Sequence, residues 1–187
     1  MFALLALWPK AMYRLRGGIF RLLIIAAGGK CGHGLRVERG LRVRQRLHKG
    51  WKLGCDIYLG RNTTIDCLPG STFVIGSNTT LTEGAFISVC QRVDIGMNSL
   101  IGEYCSIRDA NHEISDVERP IVDQPMAPLP IVVGQNVWLG RGVAVLAGSL
   151  IGSGAVVGAN SVVNREILPN SVNGGVPSKL IRMRIES

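Results

Sequence analysis

The sequence predicts an all-β solenoid of short strands, and three observations predict it. Aliphatic residues recur at every sixth position through most of the 187 residues. Glycine often follows them directly, and asparagine recurs two or three positions later, at Asn62, Asn78, Asn98, Asn136 and Asn160. Composition agrees, since 24 glycines and few aromatics beside 47% hydrophobic residues suit many short strands and tight corners better than a helical bundle. A helix has a period of 3.6 and an alternating strand a period of 2, so fixed sixes over this length belong to neither.

The chain begins with a different pattern. Residues 1–30, "MFALLALWPKAMYRLRGGIFRLLIIAAGGK", predict an amphipathic helical segment. Pro9 suits a first helical turn. From there Lys10, Arg14 and Arg21 share one face, while Met12, Leu15, Ile19, Leu22 and Leu23 lie largely elsewhere. Gly17 and Gly18 weaken the helix. Cations interrupt the apolar runs before they reach the roughly 18–20 residues needed to span a bilayer. The start lacks the basic region and small-residue cleavage site of a signal peptide. Two roles stand open: a helix lying on an anionic membrane surface, or one that caps the repeat domain or packs in an oligomer.

Charge is concentrated at the same end. Residues 1–52 hold twelve of the 21 Lys and Arg residues against Glu38 alone, a net +11. The rest holds nine basic and twelve acidic residues, a net −3. A basic amino-terminal third on a slightly acidic body points to an anionic ligand or surface. No helix-turn-helix, zinc-finger or aromatic RNA-binding pattern accompanies the charge, so nucleic acid is not the expected partner.

The repeat domain spans residues 31–168. Leu35, Leu41, Leu47, Leu53, Leu59 and Ile65 open the lattice. Ile75, Leu81 and Ile87 follow, then Ile95, Ile101 and Ile107, and finally Val133, Leu139, Val145, Ile151, Val157 and Val163. A strand of three or four residues and a two-residue corner account for each six. The aliphatic residue points inward, glycine allows close backbone approach, and asparagine suits a corner that needs a positive φ. Stacked turns bury one aliphatic column, so each coil relies on its neighbours. Residues 169–187 are expected to pack on the solenoid as a carboxy-terminal extension.

One break carries the chemistry. Between Ile107 and Val133 lie twenty residues more than the lattice needs, with Pro120, Pro125, Pro128 and Pro130 among them. This predicts a long surface loop at 108–131, of the length that is often functional. At its root stands "RDANHEI", with His112 five residues past Ile107, the last lattice position before the break. His33 and His48 lie on the solenoid and read as structural. The five cysteines (Cys31, Cys55, Cys67, Cys90, Cys105) form no C-x-x-C pair and give no metal spacing, so no metal is expected and a reducing compartment is the simplest setting.

Residues 132–182, "VVGQNVWLGRGVAVLAGSLIGSGAVVGANSVVNREILPNSVNGGVPSKLIR", resemble the carboxy-terminal half of the hexapeptide-repeat acyltransferases. The resemblance runs over about residues 35–182. It implies a left-handed parallel β-helix of triangular section, three hexads per coil, assembled as a homotrimer with active sites between subunits. "RDANHEISDVERPIVDQPMAPLPIVVG" is most similar to the polysaccharide O-acetyltransferases of O-antigen and capsule biosynthesis, with galactoside and maltose acetyltransferases next.

In that family the general-base histidine stands where His112 stands here. Imidazole suits the task because it titrates near neutral pH. Acyl transfer from acetyl-CoA starts from an activated thioester, so direct transfer without an acyl-enzyme is expected. Asp109, or else Glu113, would orient the ring. The resemblance places an oxyanion-binding backbone N–H at Arg141, with Gly140 before it allowing close approach. It also places Trp138 at the acyl and acceptor pocket and Ala159 on the pantetheine. Asn164, Arg165 and Lys179 fall at the adenosine end of CoA. Thr82, beside Glu83, falls near the acceptor-binding asparagine of the sugar acetyltransferases, and this departure argues against simple galactoside or maltose specificity.

The expected function is acetyl-CoA-dependent O-acetylation of a polysaccharide or its lipid- or nucleotide-linked precursor. The expected setting is the cytoplasm, at the inner face of the membrane through residues 1–52. Alternatives are N-acetylation of an amino-sugar nucleotide and a non-enzymatic trimeric scaffold. A β-helical carbonic anhydrase would need three imidazole ligands close together, which three scattered histidines do not supply.

Overall fold

The computed structural model describes residues 2–184, with side chains described from residue 11. Short parallel strands wind into three sheets. The first sheet stacks Lys30–Cys31, Trp51–Leu53, Thr72–Ile75, Arg92–Ile95, Ile131–Val133 and Leu150–Ile151. The second stacks Arg36–Val37, Tyr58–Leu59, Thr80–Leu81, Leu100–Ile101, Trp138–Leu139 and Val156–Val157. The third stacks Arg42–Val43, Thr64–Cys67, Phe86–Val89, Ser106–Arg108, Ala144–Val145 and Val162–Val163. Each coil gives one strand to each sheet, so six coils make a three-walled parallel solenoid, the fold the sixes predict.

Register shows why the period is strict. Leu53 pairs with Ile75, Ile75 with Ile95, and Ile95 with Val133, so like positions stack directly. These residues, and their counterparts on the other walls from Leu59 to Val163, are at most 4% exposed. Each such burial contributes roughly 1.5–3 kcal/mol. The corners also follow the sequence: the five asparagines all have φ between 56° and 59°. Asp56, Tyr104 and Asn170 adopt the same conformation at other corners, positions that the asparagine pattern did not mark.

The first coil departs from the expected phase. Its strands place Cys31, Val37 and Val43 beside Leu53, Leu59 and Ile65. Leu35 and Leu41 therefore stand two residues before Val37 and Val43. Strand alternation turns both positions of such a pair to the same side, and Leu35 is buried there, 4% exposed. The extra residues separating this coil from the next fall between Val43 and Leu53.

Both ends of the solenoid are covered. At one end a helix, Phe2–Ala26, buries Phe20 and Ile24 on the first coil. Phe20 meets the Trp51 ring edge-on at 6.0 Å, and Trp51 meets Phe73 at 5.5 Å. Gly17 allows this approach, since a Cβ there would overlap the Leu35 carbonyl. Arg21 Nε donates to the Gly32 and Cys31 carbonyls at 2.9 and 3.2 Å, satisfying acceptors at the open edge. At the other end Ser171–Gly174 continues the second sheet and pairs antiparallel with Lys179–Met183. Among the described residues no helix is long and apolar enough to cross a membrane.

Candidate active site

Residues 109–130 form a finger rather than an open loop. Its two arms run antiparallel: Leu129 N donates to Asp109 O at 3.0 Å, Ala127 N to Asn111 O at 2.7 Å, and Glu113 N to Pro125 O at 2.9 Å. His112 lies opposite Met126 in this ladder. The tip is held by Gln124, whose side-chain amide donates to Asp116 O and Arg119 O while its oxygen accepts from Asp116 N. Gln124 is 6% exposed in a tip that is otherwise open. The sequence reading did not mark it, because a glutamine among prolines gives no periodic signal.

His112 is exposed on one arm. Asp109 is fully buried three residues earlier. Its carboxylate accepts backbone N–H groups from Cys90, Gln91 and Arg92 at 2.6, 2.8 and 2.7 Å. Both oxygens are thus engaged with the corner of the preceding coil, and no hydrogen bond joins Asp109 or Glu113 to the His112 ring among the described residues. Asp109 fastens the root of the finger to the rigid lattice. The spacing D-x-x-H suggested an orienter; the amides that hold it lie 17–19 residues back, where spacing cannot show them.

The second wall carries a groove of about 590 Å³. It brings together Thr82, Trp138, Gly140, Arg141 and Ala159 from the expected set, with Leu100 and Val156 as its apolar floor. Trp138 stands between Leu100 and Val156 in the ladder, half-exposed on the outer surface. Gly140 lets two corners meet, since a Cβ there would lie 2.7 Å from Ala159 N. The Arg141 guanidinium rests over the Tyr104 ring at 5.5 Å, an aromatic the sequence reading did not place in the site. Arg141 N–H has no acceptor among the described residues, and neither has Ala159 N–H at the next corner. An open amide is therefore a property of these corners, and both of these open amides border the groove.

Thr82 Oγ1 donates to Ile101 O at 2.9 Å. Glu83 is adjacent in sequence but does not line the groove. Asn164, Arg165 and Lys179 are exposed and lie outside it. Ser178 N donates to Val162 O at 2.8 Å, which brings Lys179 to the strand end that Asn164 and Arg165 follow.

Several of the remaining reactive groups have structural partners. Cys105 is buried, its thiol donates to Gly140 O at 3.1 Å, and burial pushes its pKa up to about 11. Cys67 is raised to about 11 by burial as well. His48 Nδ1 accepts from Gly50 N at 3.1 Å, fixing a turn, and His33 lies 4.0 Å from Asp56 on the surface. Among the described residues no group of three histidine, cysteine or carboxylate side chains could hold a metal ion.

The walls decide what one chain can do alone. The finger leaves the third wall after Arg108 and returns to the first at Ile131, while the groove lies on the second. His112 and Trp138 thus stand on different sides of a three-walled prism, and His112 is not among the groove's lining residues.

Comparison with known proteins agrees with this architecture. The family described as bacterial transferase hexapeptide (six repeats) matches residues 130–165. A putative lipopolysaccharide biosynthesis O-acetyl transferase of Escherichia coli K12, WbbJ, is 37% identical over 130 residues, 66% of each chain. A hexapeptide-repeat-containing acetyltransferase of Vibrio cholerae O1 biovar eltor, solved with acetyl coenzyme A, superimposes with a TM-score of 0.64 at 28% identity, over 71% of this chain and 70% of its own. The N-acyltransferase AntD of Bacillus cereus, solved as a mutant with dTDP and coenzyme A, reaches a TM-score of 0.72 over 84% of both chains. At 15% identity that likeness shows the fold alone. The chain spans 44% and 58% of the length of two other curated relatives, both described as acetyltransferases.

Proposed function

The chain belongs to the bacterial hexapeptide-repeat transferases, and from that premise we propose that it transfers the acetyl group of acetyl-CoA to a sugar hydroxyl. The acceptor is a polysaccharide or its lipid- or nucleotide-linked precursor, and the setting is the cytoplasm. The observation that carries the reading is the pairing of an imidazole on a fastened finger with an apolar-floored groove on a separate wall.

The working unit is a homotrimer in which the finger of one copy meets the groove of the next. Support comes from the finger itself, which exposes Ile114, Val117 and Val122 at 69%, 88% and 81%. So much open apolar surface on one loop suits burial against another subunit.

The groove fits the donor. Leu100, Val156 and Trp138 offer apolar contact to the pantetheine arm, with Ala159 beside it. Arg165 and Lys179 supply charge for the phosphates, and Asn164 contacts the adenosine end. His112 accepts the hydroxyl proton as the oxygen attacks the thioester carbonyl. The oxyanion accepts from Arg141 N–H. Collapse expels the CoA thiolate, which takes the proton back from the imidazolium. No enzyme nucleophile enters, which suits a Cys105 that is buried and protonated. Thr82 and Glu83 border the acceptor. Asp109 acts on the base through the root of the finger, and Glu113 is the carboxylate next to the base in sequence.

The test is acetyl-CoA turnover followed by mass spectrometry, with glycan and amino-sugar acceptors, for wild type and His112→Ala. The expected result is an alkali-labile O-acetyl product and a loss of at least about a hundredfold in the variant, as for removal of a general base. An alkali-stable amide product would replace the reading with N-acetylation. Unchanged turnover in His112→Ala would remove the base.

A further inference from the structure

The helix that caps the first coil has a second apolar face, and none of the described residues covers it. With 100° between successive residues, Gly17, Phe20 and Ile24 point at the solenoid. Leu15, Ile19, Leu22 and Ile25 form a ridge on the opposite side, 57%, 53%, 63% and 42% exposed. Polar residues would be expected on the outer face of a helix that served only as a cap.

Arginines line both flanks of this ridge. On one side a cleft of about 490 Å³ between helix and first coil is bordered by Arg14, Arg21 and Arg36. On the other, a groove of about 320 Å³ is bordered by Arg16 and Arg39. The helix contains no acidic residue. The two acids beside these grooves have basic neighbours or partners of their own: Asp56 lies near His33, and Glu38 accepts from Tyr58 and pairs with Arg61. An apolar ridge between two rows of cations is the profile of a helix lying in the plane of a membrane interface, with its ridge among acyl chains and its cations at the headgroups.

We propose that this helix docks the protein onto an anionic lipid bilayer through Leu15, Ile19, Leu22 and Ile25, with Arg14, Arg16, Arg36 and Arg39 facing the headgroup phosphates. Charge chooses this occupant over a second copy. Two copies packed ridge to ridge would set five arginines against five others with one half-exposed carboxylate, Asp56, on each copy, whereas an anionic bilayer neutralises both rows. The cap and the contact share one element, because Gly17, Phe20 and Ile24 hold the helix to the solenoid without using the ridge. The axis of the solenoid is thereby tied to the membrane, with the finger and groove carried on the coils above.

The test is co-sedimentation of the full chain with vesicles of phosphatidylcholine alone and with an equimolar mixture of phosphatidylcholine and phosphatidylglycerol. No acetyl donor is present, so failure here leaves the acetyl-transfer reading untouched. The expected result is binding to the anionic vesicles that weakens at high salt, and little binding to the neutral ones. Arg14→Gln with Arg39→Gln should lower partitioning roughly tenfold or more, from the known value of a basic side chain at such a surface. Leu15→Ser with Leu22→Ser should abolish it with the unfolding midpoint unchanged, since both leucines are exposed. Equal binding to both vesicle types, or none to either, would overturn the proposal. So would a fall in the lipid-free molecular mass of the leucine variant by light scattering, which would assign the ridge to a second copy.

Discussion

The lattice and the finger are built in opposite ways. From Leu53 to Val163 every coil repeats the same inward positions, and each strand of the inner coils is held by a strand before and after it. The finger has one copy of each feature: three cross-arm backbone bonds, one glutamine at the tip and one aspartate at the root. Repetition makes the lattice stiff and tolerant of sequence elsewhere. Single fastenings make the finger adjustable, and they make each fastening matter. The proposed base is placed on the second kind of structure and referenced to the first.

The comparison can be broken most forcefully in the lattice. Ile107→Ala empties a fully buried site beneath the last strand before the finger. It should cost about 2–5 kcal/mol, read as a lowered denaturation midpoint with one cooperative transition. Asp109→Asn should cost about 2–3 kcal/mol, because an amide cannot accept three N–H groups as a carboxylate does. Here turnover should fall further than stability explains while CoA affinity holds, because the finger loses its seat and the groove does not.

Gln124→Ala sharpens the contrast. It should cost about 1–2 kcal/mol at most, confined to faster hydrogen exchange of the finger amides, with the coils still protected. An equal loss of protection in the coils would mean finger and lattice unfold together.

A further contrast concerns pH. Cys67 and Cys105 have pKa values raised to about 11 from 9.0 by burial. Between those values the unfolded chain loses protons that the folded chain keeps, so stability is complete below about pH 9 and falls as pH rises toward 11. The unfolding midpoint should drop over that window, and by less in Cys105→Ala.

Legibility followed the same division. Coils from Leu53 onward were readable because one inward aliphatic and one left-handed corner recur at fixed spacing. The first coil was misphased because Leu35 and Leu41 continue the spacing of six two residues early, and strand alternation gives both positions of each pair the same side. The place of His112 was readable as a break in a regular pattern. The partners of Asp109 were not, since stacked coils bring together residues 17–19 apart without leaving a local trace. Antiparallel pairing within 109–130 was equally hidden, as its register rests on backbone groups. Helix residues Gly17 and Gly18 read as weakness, yet Gly17 is where the helix meets the Leu35 carbonyl.

The central claim, that the base of one copy serves the groove of another, is tested most directly by mixing two inactive variants. His112→Ala keeps the groove and loses the base. Ala159→Trp keeps the base and fills the groove from an exposed position. Co-assembled in equal amounts, they should recover about a quarter of wild-type turnover, because half of the grooves are intact and half of those meet an intact finger. Mixed oligomers that remain inactive would contradict the claim and place base and groove within one chain.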